Sequence, residues 1–128
     1  MYRLYGALAV FGIALCIITT GFIIDTRTAD KVIRELDSSY ELAKNGDIEG
    51  AKRKIEAAKS EWDNNMETML LFMSHGRLDQ IESSINTAYN YIKSNEISMF
   101  IAECASARLM TGHFIDVEYP YLNNIFWN

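Results

Sequence analysis

Lys44-Asn45-Gly46-Asp47-Ile48 and, 49 positions later, Lys93-Ser94-Asn95-Glu96-Ile97 decide how this chain folds. In the first pentad Asn45-Gly46 reads as a helix stop with glycine at the left-handed position, and Asp47 as the N-cap of the next helix. The same offset lays Tyr40 on Tyr89, and Ala29, Val32 and Leu36 on Leu78, Ile81 and Ile85. Ala51, Ile55 and Ala58 fall on Phe100, Cys104 and Ala107. These apolar positions are three or four residues apart, the spacing of one helical face. The pattern predicts two tandem αα-hairpins, each with a four-residue polar turn, that pack as four helices. Identity between the halves is low, so unrelated amphipathic helices falling into one register is the alternative.

Working outward, the first helical run carries Ala29, Val32, Leu36, Tyr40 and Ala43. The second runs from Ile48 through Ala51, Ile55, Ala58, Trp62, Met66 and Met69 to Met73, where Ser74-His75-Gly76-Arg77 interrupts it with glycine at the expected turn. The third holds Leu78, Ile81, Ile85, Ala88 and Ile92, and the last runs from Ile97 to Val117. Pro120 lacks an amide hydrogen and disfavours helix just before it, so the last helix is expected to end or kink near Glu118 or Tyr119. No strand pattern competes, and the fold class is all-α.

Upstream, residues 4–24 (LYGALAVFGIALCIITTGFII) contain no charge and no proline. As a helix they span about 31 Å, close to the roughly 30 Å hydrocarbon core of a bilayer. A cleaved secretory signal would have a shorter apolar region, about 7–15 residues, and small residues at the cut. Arg27 spoils a cut after Ala29, Leu15 precedes Cys16 where lipoprotein processing needs a small residue, and only Thr19-Thr20-Gly21 offers a site. Residues 1–24 are therefore read as an uncleaved anchor and residues 25–128 as one helical-bundle domain. With neither glycine nor proline between Asp25 and Lys44, span and first helix are expected to form one rod of about 60 Å.

Sidedness is argued from the flanks. Arg3 stands before the span, and Arg27, Lys31 and Arg34 come after it among Asp25, Asp30, Glu35 and Asp37. Counting bases alone favours a cytoplasmic domain. An anchor with almost nothing before it, however, translocates the chain on its C-terminal side. The expectation is a cell-membrane protein with its N-terminus cytoplasmic and its domain extracytoplasmic.

The formal net charge is −5, and since Arg3 is the one charge before residue 25 the domain carries −6. That balance argues against nucleic acid and anionic headgroups as partners. Lys52-Arg53-Lys54, answered by Glu49 and Glu56, reads as a solvated helix face. Cys16 lies in the span and Cys104 in the domain, so no intrachain disulfide is expected, and one accessible cysteine with two distant histidines builds no zinc site. No nucleophile with a base, phosphate loop or carboxylate pair is legible, so neither an enzyme nor a cofactor is expected.

The candidate interaction residues are Gly12, Cys16, Thr20, Trp62, His75, Asn124, Phe126 and Trp127. Gly12, Cys16 and Thr20 recur at i, i+4 and i+8, a thin face on which helices can approach closely in lipid, whether a protein partner or a second copy. Trp62, in phase with Ala58 and Met66, reads first as a core anchor and second as a stacking platform. Met66, Met69, Met73 and Phe72 offer soft apolar surface for the core or a partner helix. His75 would gather Asp79 and Glu82 on a continuous helix, but as a cap beside Gly76 it would not. The apolar and aromatic tail from Tyr119 to Trp127 must dock, touch membrane or mark an interface.

The chain resembles two known patterns. Residues 43–58 (AKNGDIEGAKRKIEAA) resemble the Gly-Asp and Ala-x-x-x-apolar-x-x-Ala pattern of tetratricopeptide-like repeats, yet two units of about 49 residues are too few and too long for such an array. More broadly, the span, Gly46-Asp47 with Ala51, Trp62, Leu71-Phe72, His75 with Leu78-Asp79 and Ile81, and Asn124-Ile125 resemble the domain of unknown function 4363 family. Gly76, where an acid is common, and Pro120 depart from its pattern. The resemblance implies a small bacterial single-span membrane protein with a helical domain. The function expected is an interaction or accessory module for another membrane protein, with a small-ligand sensor as the alternative.

Overall fold

The computed structural model describes the backbone of residues 1–71 and 73–126, with side chains inside the last helix described as far as His113. Among the described residues four helices succeed one another: α1 Tyr2–Lys44, α2 Ile48–Met69, α3 His75–Lys93 and α4 Ile97–Phe126. Each packs on its neighbours in sequence, and α4 closes the ring against α1. The arrangement is an up-down-up-down bundle whose short turns keep consecutive helices antiparallel.

The two hairpin turns are the same structure twice. Gly46 N–H donates to the Ala43 carbonyl at 3.1 Å and Asp47 N–H to the Leu42 carbonyl at 2.9 Å. At +49, Asn95 donates to Ile92 at 3.2 Å and Glu96 to Tyr91 at 2.9 Å. This crossed pair satisfies the last carbonyls of a helix and needs a left-handed residue just past its end. Gly46 has φ +87° and Asn95 φ +61°. Asparagine is among the few side chains that tolerate that region, which is why the second turn works without glycine. Asp47 then caps α2 by accepting from Gly50 N–H at 2.9 Å.

The repetition extends beyond the turns. Lys44 Nζ lies 5.0 Å from the Tyr40 ring centre, and Lys93 Nζ 5.0 Å from that of Tyr89. Lys54 meets Glu35 at 3.0 Å between α1 and α2, and the equivalent Glu103 accepts from Ser84 Oγ at 2.6 Å between α3 and α4. The expected apolar register is buried in both halves. Chance alignment of helices would not reproduce turn hydrogen bonds and cross-helix pairs together, so the chain is built from two equivalent hairpins.

Volume is redistributed between them. Ala51 and Ala43 stand where the second hairpin has Phe100 and Ile92, and Trp62 stands where it has Thr111, all within the buried interior. Ser39 Oγ also donates to the Ala51 main-chain carbonyl at 2.7 Å, tying the α1 side chain to the α2 backbone.

Three boundaries differ from the sequence reading. α2 ends at Met69, and Met73 lies in the connector, packed against the core without being helical. Gly76 falls inside the first turn of α3 and makes no turn, because helix begins at His75 after Ser74. Pro120 does not end α4, which continues to Phe126; a proline forfeits one helical hydrogen bond, a local cost that a 30-residue helix can carry.

Candidate interaction surfaces

α1 is one uninterrupted helix of 43 residues, about 65 Å long at 1.5 Å per residue. Its first half is long and apolar enough to cross a membrane, and its side chains from Tyr2 to Thr20 are exposed. From Gly21 onward one face is buried, beginning with Asp25 and Thr28 and continuing through Ala29, Val32 and Leu36. So much exposed apolar surface is unfavourable in water, and the helix is compatible with a single membrane span or a signal anchor.

Gly12, Cys16 and Thr20 lie together on this helix, as the spacing predicts. They line a shallow apolar groove of about 680 Å3 that begins at Ala9 and is capped by Thr68 and Leu71. A Cβ at Gly12 would meet nothing within 4 Å, so the face is open. Thr20 Oγ1 donates to the Cys16 carbonyl at 2.8 Å, and Thr19 Oγ1 to the Leu15 carbonyl at 2.9 Å. Both hydroxyls are thereby satisfied within the helix and suit an apolar surrounding.

The remaining candidates separate. Trp62 is fully buried, so it serves the core and not a surface; its Nε1–H finds no acceptor among the described residues. His75 is exposed as the first residue of α3, with Asp79 also exposed and Glu82 partly buried. Among the described residues no three such side chains come together to hold a metal. Asn124 and Phe126 fall in the part of α4 beyond the described side chains, and Phe72 and Trp127 lie outside the described residues.

Just beyond the exposed apolar stretch, a polar notch of about 530 Å3 opens between α1 and α2, lined by Ile24, Arg27, Asp30, Lys31, Arg34 and Glu61 among others. Lys31 is paired with Glu61. Arg27 and Arg34 are exposed and enter no ion pair among the described residues. Sequence reading counted these bases for sidedness and missed the notch, because Glu61 and Asn65 arrive from α2 by tertiary packing. Asp25 carried a readable signal: it lies four residues before Ala29, in phase with the buried stripe.

A family model described as Domain of unknown function (DUF4363) matches residues 24–125. The chain belongs to that family. The match begins where α1 passes from its exposed apolar half to the buried stripe, and it runs through all four helices. No curated protein and no solved structure matches the chain.

In this family member the free thiol of the domain is sealed. Cys104 is buried, its Sγ 3.5 Å from the Leu36 carbonyl, where it acts as a weak donor. Burial, assisted by the negative charge of Asp37, pushes its pKa up to about 12. The thiolate is thus favoured only in the unfolded chain, and unfolding releases a proton above about pH 9. Stability is unaffected by this group below the unfolded pKa and falls as pH rises toward 12, by about 1.4 kcal/mol per pH unit. Iodoacetamide at pH 8.5 is expected to leave Cys104 unlabelled in the native protein and to label it once denaturant unfolds the bundle. Cys104→Ala should flatten the alkaline fall in stability, measured as the denaturation midpoint between pH 8.5 and 10.5.

Proposed function

We propose that this chain is a single-span cell-membrane protein, N-terminus cytoplasmic and helical domain extracytoplasmic, that acts as an interaction or accessory module for another membrane protein. The observation that carries the reading is α1 itself, a continuous helix whose apolar half is exposed while its other half is a wall of the bundle. Span and domain are one rigid element, so a partner that grips either one positions the other.

The bundle interior supports a docking role better than a sensing one. Its core side chains, Trp62, Phe100, Leu36, Ile55 and Ile92 among them, are buried and apolar. A small-ligand sensor would need polar groups converging on internal space.

Crosslinking in intact cells, followed by purification in mild detergent, is the direct test. A reproducible membrane-protein partner is expected; no reproducible partner would overturn the module reading. A reporter that works only in the cytoplasm, fused after Asn128, should be silent.

A further inference from the structure

We propose that the notch between α1 and α2 binds the phosphate headgroup of one anionic phospholipid, whose acyl chain lies in the groove below it. The inference rests on residues 4–24 crossing a bilayer.

Ile24 lines both the polar notch and the apolar groove, so the two are continuous: basic above, hydrocarbon-like below. Arg27, Lys31 and Arg34 stand at i, i+4 and i+7, on one face of α1. Arg27 lies about 4.5 Å beyond Ile24 along the axis, Lys31 about 10 Å and Arg34 about 15 Å. The headgroup layer extends roughly 5–8 Å outside the hydrocarbon core. Helical side chains tilt toward the helix N-terminus, which here is the membrane, so all three lean toward that layer. Long basic side chains reach further still.

Charge within the notch is mixed, and the pairing leaves a surplus. Glu61 answers Lys31, so Arg27 and Arg34 face Asp30 alone. Guanidinium groups bind phosphate oxygens through two parallel N–H donors, the strongest available pairing for a headgroup. The whole-domain charge of −6, which argues against anionic surfaces in general, is screened over about 8 Å at physiological salt and does not govern contacts at this distance.

Charge also decides between lipid and a second copy as occupant. A parallel copy related by a two-fold axis through this groove would bring Arg27, Lys31 and Arg34 against their own counterparts. An anionic headgroup is instead attracted, and a groove of about 680 Å3 accommodates an acyl chain.

Native mass spectrometry of the full chain in mild detergent, offered equal phosphatidylglycerol and phosphatidylcholine, tests this. One retained phosphatidylglycerol is expected, favoured over phosphatidylcholine, and not displaced by glycerol phosphate, which lacks the chain. Arg27→Gln with Arg34→Gln should lower its retention about tenfold, while Arg53→Gln, on α2 away from the notch, leaves it unchanged. Equal retention of both lipids, insensitivity to the double substitution, or a lipid-free dimer overturns the site. Extraction of the chain from membranes by alkaline carbonate would overturn the span reading beneath it as well.

Discussion

Trp62→Ala is expected to cost about 3–5 kcal/mol, a large part of the roughly 5–15 kcal/mol that holds a small domain folded. Trp62 is the largest fully buried side chain among the described residues, and the residue one turn before it on the same face of α2 is the small, buried Ala58, which cannot swell to fill the void. Trp62→Phe should be far milder. The indole Nε1–H is buried with no acceptor among the described residues, and an orphaned donor carries about 1–3 kcal/mol of desolvation cost. Phenylalanine removes that donor while keeping most of the apolar area, so the two effects oppose each other. Urea denaturation of both variants is the measurement. A phenylalanine variant as damaged as the alanine one would show that the indole is held by an interaction the packing does not reveal.

Phe11→Arg combined with Leu15→Arg is expected to abolish stable insertion without unfolding the bundle. Near the centre of a span each arginine costs about 2.5–3.5 kcal/mol on the insertion scale, and each lost apolar side chain a few tenths more, so the pair opposes insertion by roughly 6–8 kcal/mol. Phe11 and Leu15 are 67% and 53% exposed, and neither belongs to the core, so no packing is lost in the domain. The variant should move from the membrane fraction to the soluble or aggregated one, with its helical domain melting as before. Retention in carbonate-washed membranes would count against residues 4–24 as the anchor.

Legible and hidden features of the chain divide along physical lines. Gly46 and Asp47 announced their turn because left-handed backbone and helix caps favour very few residue types. The second turn was found by its offset, and Asn95 then proved to occupy the same left-handed position as Gly46. Helical period placed Trp62 in the core, since a residue in phase with Ala58 must face inward. Period alone could not end α2: Met73 keeps the apolar register yet packs from a connector, and flexible methionine fills such a site as readily from coil as from helix. The notch was hidden for a different reason. Its residues lie on α1 and α2, some 30 positions apart, and only the antiparallel pairing that sets Lys31 beside Glu61 brings them together.

The offset of 49 superposes α3 on α1 and α4 on α2, so the internal symmetry axis runs along the helices and both hairpins point the same way. Leu70 and Leu71, in the connector, then occupy in the second hairpin the station that Gly21 and Phe22 hold in the first, where the exposed apolar half of α1 ends. If α1 crosses a bilayer as proposed, the end of the bundle nearest the lipid carries both stations, and its two hairpins stand on unequal feet. One is the apolar half of α1 and the other is the connector, whose Leu71 is 77% exposed.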